Sequence, residues 1–284
     1  MFQVASHAPF PHHHQSSARR YDAPAPVQLP RTLARPQFTD VSRDALAAAA
    51  PELASVPAEF IRHGLRAKAP QMQAGIAALA PSHLPASLPR AHLPQALTIP
   101  LRASAHAASY PTHALAITPS AKGPGAADAP HAIFPIHAVV LAAHCAKLPR
   151  LPHAARPARS TATLLLQPLT LPSPQAFALL HAFMYTHRLA PLLAALLPLP
   201  PAFLEPLTHA SLLAALESGS ARHALAAHLC AAAGANLSAL MAHAAHVKEL
   251  WQDMVALGMY DAELWDALDL AWEVVLGALN LAAQ

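Results

Sequence analysis

The sequence predicts a mainly α-helical protein with a small β element and a disordered N-terminal region. Three observations lead to this prediction. Apolar residues recur at three- and four-residue spacing through most of the second half of the chain, as in amphipathic helices. Short apolar runs at residues 114–118, 131–134 and 163–166 lie between turn-forming residues and predict strands. Residues 1–38 are rich in Pro, His, Ser and Arg without any period, and such segments bury too little apolar surface to offset chain entropy.

Composition and charge exclude several classes of protein. Only 12% of the 284 residues are charged and the formal net charge is +3, which is too small for a strong nucleic-acid footprint. Cys145 and Cys230 belong to no CxxC motif, so we expect neither a disulfide framework nor a zinc site, and a reducing compartment fits best. The amino terminus lacks the pattern of a signal peptide, and no run of about 20 apolar residues is uninterrupted. We therefore expect a nuclear or cytoplasmic protein without a membrane partner.

The first predicted helices follow directly after the disordered region. Asp40 or Ser42 can cap an Ala-rich helix that Pro51 ends, and a second helix starts at Pro57. Helical spacing predicts a continuing apolar stripe made of Phe60, Ile61, Leu65, Met72, Ile76 and Leu79.

Proline content and periodicity together divide the chain into four parts. We interpret residues 1–38 as a disordered Pro/His-rich tail and residues 39–80 as a short helical module. Residues 81–110 are interpreted as a Pro-rich linker or a strap on another surface. Residues 111–284 are expected to form the core and a C-terminal helical extension.

Residues 161–188 hold the strongest combination of local signals. An apolar run suited to a buried strand ends near Leu171, and Ser173 can cap a helix that has Pro174 in its first turn. The stripe of this helix consists of Phe177, Leu180, His181 and Met184, flanked by Phe183 and Tyr185. We interpret Phe177 and Tyr185 as core residues rather than as contacts to a ligand.

Between residues 114 and 186 the predicted order is strand, strand, helix, loop, strand, helix. With the stretches Phe134-Pro135-Ile136-His137, Val140-Leu141-Ala142-Ala143 and Phe177 to Thr186, this order resembles the core of a BTB/POZ domain. The resemblance implies a BTB/POZ-like α+β core and a homodimer. The residues that we take to mark the fold are Phe134, His137, Leu141, Phe177, Leu180 and Tyr185, with Trp265 and Trp272 of the last helix.

Over most of its length the chain also resembles the clampless family of basidiomycete regulators. The segments that carry this resemblance are VPAEFIRHGLRAKAPQM, FPIHAVVLAAHCAKLPRLP, PLTLPSPQAFALLHAFMYTHRL and LWQDMVALGMYDAELWDALDLAWEVVLGALNLA. The resemblance implies an intracellular, nuclear regulator of clamp-cell formation and sexual development. Such a regulator acts below the mating-type homeodomain factors through protein contacts. The resemblance implies no catalytic residues.

The C-terminal third has the most regular helical periodicity. Residues 221–233 and 236–257 are predicted helices separated by Gly234, with Gly258 at the end of the second. Asp261 can cap a last helix over residues 261–279. One broad arc of that helix holds Leu264, Trp265, Leu268, Trp272, Val275, Leu276 and Leu279, and the opposite side holds Glu263, Asp266, Asp269 and Glu273.

This division of sides predicts how the last helix is used. We expect its apolar arc to dock on the BTB-like body and its acids to face solvent or a basic partner. A partner-binding groove around the tryptophans is the alternative, since aromatic anchors also dominate interfaces.

The sequence lacks the motifs of catalytic and cofactor sites. It has no Gly-rich phosphate loop, no GxSxG and no HExxH, and neither cysteine lies in a nucleophile motif. The tract His12, His13, His14 and the pair His243 and His246 are candidate metal ligands, but neither group has the further ligands that close a coordination shell. We therefore predict a non-enzymatic protein with no catalytic residue, no cofactor and no metal.

The leading functional hypothesis is an adaptor that recruits or sequesters other transcriptional regulators. One alternative is a DNA-binding factor that uses Arg62, Arg66 and Lys68, although the low charge argues against a nucleic-acid partner. Another is an adaptor for a cullin ubiquitin ligase, which rests on fold analogy alone. The sequence leaves the identity of the partner and the oligomeric state open.

Overall fold

The structure is a computed structural model that describes residues 29–102, 108–120, 129–154 and 160–284. Contacts divide the chain into Met1–Arg31 and Thr32–Gln284, and the architecture given below is that of the second unit. Its described part contains ten α-helices and one five-stranded sheet, which confirms the predicted mainly helical fold with a small β element. Most of the tail predicted to be disordered, residues 1–38, lies outside the described residues.

The sheet is built around one central strand. Its strands are β1 (Ser87–Leu88), β2 (Ala96–Pro100), β3 (His113–Pro119), β4 (His131–Ile136) and β5 (Thr161–Leu171). They lie in the order β1-β4-β3-β5-β2, with β3 antiparallel to β4 and parallel to β5. The strands predicted at residues 114–118, 131–134 and 163–166 are therefore confirmed.

The two edge strands come from residues 81–110, for which the proline content predicted a linker or a strap on another surface. β1 pairs with β4 and β2 pairs with β5, both antiparallel. Apolar burial outweighs the prolines here, because Ile99 of β2 is fully buried in a small core against the sheet. The other buried members of this core are Leu79, Ala114, Ala116, Ile133, Ala162 and Leu164. This segment thus contributes to the sheet.

Two helices precede the sheet in the chain. α1 (Arg43–Ala49) is capped by Ser42, one of the two predicted caps, and α2 (Ala58–Ala77) continues through Pro70 as one helix. The longest apolar side chains in the buried stripe of α2 are Ile61, Leu65 and Met72. Phe60 was predicted to belong to this stripe but is 65% exposed, because its position one residue before Ile61 turns it to another side of the helix.

The next two helices are α3 (Ala138–His144) and α4 (Pro174–Thr186). α4 packs on the sheet, where Phe177 meets Phe134 of β4 edge to face with ring centroids 5.0 Å apart. Ser173 caps α4 as predicted, because its Oγ accepts a hydrogen bond from a backbone N–H of the first turn. The helix ends at His187, whose backbone is left-handed with φ of 48°.

Six helices follow, and all of residues 189–284 are described. They are α5 (Leu189–Leu196), α6 (Pro201–Leu204), α7 (His209–Glu217), α8 (Gly219–Ala232), α9 (Leu237–Leu257) and α10 (Ala262–Ala282). Gly258 ends α9 with φ of 67° and Asp261 caps α10, as predicted. The Gly258 carbonyl accepts a hydrogen bond from the Ala146 N–H at 3.1 Å, so the loop after α3 is tied to the turn before α10.

α10 is the central helix of the C-terminal half. It packs mainly against α5, α7, α8 and α9, whereas the sequence predicted that it docks on the sheet-bearing body. The reason is that its buried surface is wider than the predicted arc and also includes Ala267, Leu270, Ala271, Val274 and Ala278. Gly277 allows α8 to come close, because a Cβ at this position would lie 2.8 Å from the Ala226 Cβ. α10 is therefore an internal helix.

The start of the second unit lies against α9 and α10. Leu33 is 4% exposed and Val41 is 7% exposed, although the tail predicted to be disordered extends to residue 38. The burial of Leu33, with the hydrogen bonds from Trp251 to Ala34 and from Arg35 to Asp266, shows that the last part of that tail packs on the folded body, and we call residues 32–39 the N-terminal strap. Among the described residues, no helix combines the length and the apolar character that crossing a membrane requires.

Candidate functional site

The residues chosen to mark the fold lie in two places. Phe134 is half-buried and the other seven are buried. Six of the eight come from β4, α3 and α4 or their flanks, and these elements pack together. Trp265 and Trp272 lie on α10, and the indole N–H of Trp265 donates to the Met259 carbonyl at 2.9 Å. None of the eight is exposed, so their positions are those of core residues.

A hydrogen-bond network joins α3 to the end of α4. The Ser109 carbonyl can only accept, so Nε2 of His137 carries the proton that donates to it at 3.0 Å. Nδ1 of His137 therefore accepts from the Tyr185 hydroxyl at 2.9 Å, and the Tyr185 oxygen accepts from the His137 backbone N–H at 3.1 Å. Burial lowers the pKa of His137 to about 4 and raises the pKa of Tyr185. Both groups stay neutral at physiological pH.

Tyr185→Phe is expected to destabilise the fold by about 1 to 3 kcal/mol, because it leaves the His137 N–H and Nδ1 buried without a partner. Chemical denaturation measures the change. Tyr260→Phe is the control, since Tyr260 is half-buried and its ring packs on Phe38 at a centroid distance of 5.3 Å. An unchanged stability of Tyr185→Phe would show that the network does not hold α3 and α4 together.

A second hydrogen-bond network links two buried histidine side chains, those of His144 and His187, to Arg66 of α2. Nδ1 of His144 donates to the Val140 carbonyl at 2.8 Å, so its Nε2 accepts from Nε2–H of His187 at 3.0 Å. Nδ1 of His187 in turn accepts from the Arg66 guanidinium at 2.8 Å. Burial lowers the pKa of His144 to about 3, and burial with the nearby arginines lowers the pKa of His187 to about 4.

This network also accounts for most of the basic surface that the sequence singled out on α2. Arg62 donates to the Ala143 carbonyl at 3.2 Å, and Arg66 binds His187. Lys68 is exposed on the same helix. Two of the three basic side chains proposed for DNA contact are therefore engaged within the fold.

The sequence predicted that the acids of α10 face solvent or a basic partner, but Asp266 and Asp269 bind basic side chains of the same chain. Nη2 of Arg35 donates to Asp266 at 2.6 Å and to Asp269 at 2.5 Å. Nε of Arg35 also donates to Asp269 at 3.0 Å. Nε2 of His209 donates to the other oxygen of Asp266 at 2.7 Å. Burial opposes ionisation of Asp266, but the hydrogen bonds from Arg35 and His209 lower its pKa below the usual value. These acids therefore serve to hold the N-terminal strap and α7.

Asp253 of α9 is a fully buried carboxyl group. Its Oδ1 accepts a hydrogen bond from the Ser173 N–H at 3.0 Å, whereas its Oδ2 has no partner within the described part of the chain. Burial raises the pKa of Asp253 to about 7. The sequence offers one signal for the burial of Asp253, which is its place between the apolar residues Leu250 and Met254, but this signal did not lead to a prediction.

The described residues offer little metal-binding or nucleophilic chemistry. In residues 29–102, 108–120, 129–154 and 160–284, no three His, Cys, Asp or Glu side chains come together as a metal site. Cys145 is buried and burial raises the pKa of its thiol, which disfavours the thiolate. The candidate ligand His243 instead hydrogen-bonds the Leu196 carbonyl at 3.2 Å. The tract His12 to His14 lies outside the described residues.

Comparison with protein families identifies the two halves of the fold. Residues 36–172 match the model of the clampless protein 1 N-terminal domain, and residues 190–284 match the model of its C-terminal domain. The chain belongs to the clampless family. The N-terminal match spans α1 to β5 and the C-terminal match spans α5 to α10, so the boundary between the two clampless domains falls at α4. No curated protein and no solved structure matches the chain.

Proposed function

We propose that this clampless-family protein is a non-enzymatic regulator of clamp-cell formation in fungal sexual development and that it acts through protein contacts. The observation that carries the proposal is the match to both clampless domains, which together span most of the chain. A nuclear or cytoplasmic location follows from this role.

We further propose that the part from β3 to α4 is a BTB/POZ-like module. The order β3, β4, α3, β5, α4 and the contact between Phe134 and Phe177 support this relation. A homodimer and a role as a cullin ubiquitin-ligase adaptor would follow from the same relation by analogy. The hydrodynamic mass of the purified chain, compared with its 29.8 kDa, distinguishes a monomer from a dimer.

The exposed surface favours protein contacts over DNA contacts. Phe60 is 65% exposed on α2, and an exposed aromatic side chain is a common anchor of protein interfaces. Arg62 and Arg66 are engaged with α3 and with His187, so direct DNA binding by α2 would require these contacts to break. Direct DNA binding therefore remains the weaker proposal.

Gel filtration of the tagged chain from mating hyphae, with and without nuclease, separates the two mechanisms. The protein-contact proposal predicts an assembly larger than the free chain that nuclease leaves intact. Elution as the free chain, or loss of the assembly on nuclease treatment, would contradict it. A fluorescence titration with duplex DNA adds a second readout, since phosphate contacts would make the affinity fall steeply between about 50 and 200 mM salt.

A further inference from the structure

The N-terminal strap lies on α9 and α10 in the manner of a bound peptide. Leu33 is buried, and the carbonyl of Ala34 accepts a hydrogen bond from the indole N–H of Trp251 at 2.9 Å. Arg35 reaches the carboxylates of α10, and Phe38 packs edge to face on Tyr260. The strap thus presents an aliphatic, a cationic and an aromatic contact within six residues. We call its binding surface the strap groove, formed by Trp251, Tyr260, Asp266 and Asp269.

The strap groove favours a cation. Asp266 and Asp269 are one helical turn apart, and their side chains are only 15% and 32% exposed. Two carboxylates this close repel each other when no positive charge lies between them. Arg35 supplies that charge through three hydrogen bonds, and an arginine fork suits carboxylates better than a lysine does. An occupant of the groove that carries an arginine therefore matches these two carboxylates best.

The strap is only partly buried against the folded body. It forms neither helix nor strand, and Pro36 restricts the backbone of Arg35 to non-helical conformations. The side chain of Arg35 is 43% exposed and Phe38 is 69% exposed, so much of the strap remains in contact with water. Ion pairs whose cation remains largely open to solvent contribute little net stability. A competing segment has only this weak set of contacts to displace.

We propose that the strap groove is a docking site for a non-helical segment of a partner protein with an aliphatic residue two positions before an arginine. The N-terminal strap is then the intramolecular competitor of that segment. This inference rests on the proposed function and deepens it, because it states the chemistry by which a protein partner is recognised. Charge complementarity and the backbone contact from Trp251 are the features that the segment would reuse.

A synthetic fluorescein-labelled peptide of residues 31–41 tests the proposal by fluorescence anisotropy with full-length protein. In the wild type the tethered strap competes at an effective concentration of the order of millimolar, so peptide binding should be weak. Arg35→Glu in the protein places a negative charge against Asp266 and Asp269 and should release the strap. We expect the peptide to bind Arg35→Glu at least about 10-fold more tightly than the wild type.

Matched variants show whether the binding has the proposed chemistry. Lys68→Glu makes the same charge change at an exposed position of α2 and should leave peptide binding at the wild-type level. Asp266→Asn with Asp269→Asn in the Arg35→Glu protein should abolish binding, and so should a peptide with Arg35→Ala. If circular dichroism shows that Arg35→Glu does not fold, Arg35→Gln replaces it with the same expected direction.

Two results would overturn the proposal. One is a folded Arg35→Glu or Arg35→Gln protein that binds the peptide no better than the wild type does, and the other is binding that survives loss of both carboxylates. Either result leaves the proposed regulatory role intact, since partner contacts through other surfaces remain. Conversely, a chain that binds the peptide but has no effect on clamp-cell formation would overturn the proposed function and would leave the strap groove established.

Discussion

Trp272→Ala is expected to lower the free energy of unfolding by about 3 to 5 kcal/mol, as is typical for truncating a buried large aromatic side chain. Trp272 is 2% exposed and lies near the middle of α10, which is surrounded by α5, α7, α8 and α9. The cavity left by the indole therefore lies inside the C-terminal clampless domain, where the backbone of several helices prevents collapse. Denaturant unfolding followed by circular dichroism measures the loss.

Leu213→Ala is the matched control for this prediction. Leu213 lies on α7 and is 38% exposed, so its truncation should change stability by less than about 0.5 kcal/mol. Equal stabilities of Trp272→Ala and the wild type would contradict the central position of α10. The tryptophan would then become a candidate for the partner-binding surface that the sequence left as an alternative.

Lowering the pH from 7 to about 4.5 is expected to destabilise the protein by several kcal/mol, since each unit of pKa difference corresponds to about 1.4 kcal/mol. The pKa is lowered to about 4 for His137, about 3 for His144 and about 4 for His187. Their folded values lie below the unfolded value of about 6.5, so the unfolded chain binds more protons in this window. Their contribution is complete above the unfolded pKa and is lost as the pH falls through the folded values.

Asp253 acts in the opposite direction over nearly the same window. Its pKa is raised to about 7 from the ordinary value of 3.8, so its protonated form is favoured in the folded state. Its stabilising contribution is complete below the unfolded pKa and is lost as the pH rises through 7. On acidification three histidines lose their stabilising contribution and one carboxyl group gains one, so the net effect is a loss of stability.

Unfolding free energies at several pH values between 7 and 4.5 measure this balance. Asp253→Asn should make the loss on acidification steeper, because it removes the opposing group. A protein that becomes more stable on acidification would show that the three histidines are not held neutral in the fold.

Local signals in the sequence predicted much of the architecture. Ser42, Ser173 and Asp261 all cap the predicted helices, because a cap depends on atoms only three residues apart. Gly258 ends α9 for a similar reason, since the left-handed conformation at this position favours glycine. The three central strands also followed from short apolar runs between turn residues.

Local signals could not predict contacts between residues that are distant in sequence. Arg35 binds Asp266 across more than two hundred residues, and no local pattern marks either side chain as one of a pair. His144 and His187 are likewise brought together only when α3 and α4 pack. The edge strand β2 was missed because the prolines of residues 81–110 suggested a linker or a strap, whereas Ile99 is buried by pairing with β5 and by packing in the small core on the sheet.

The frequency of clamp cells in mating hyphae tests the proposed function most directly. The proposal predicts that deletion of the gene from a clamp-forming host removes the clamp cells and that expression of the wild-type chain restores them. Expression of the chain with Trp272→Ala, which is expected to destabilise the C-terminal clampless domain, should restore them poorly. Clamp cells at the normal frequency in the deleted strain would contradict the account.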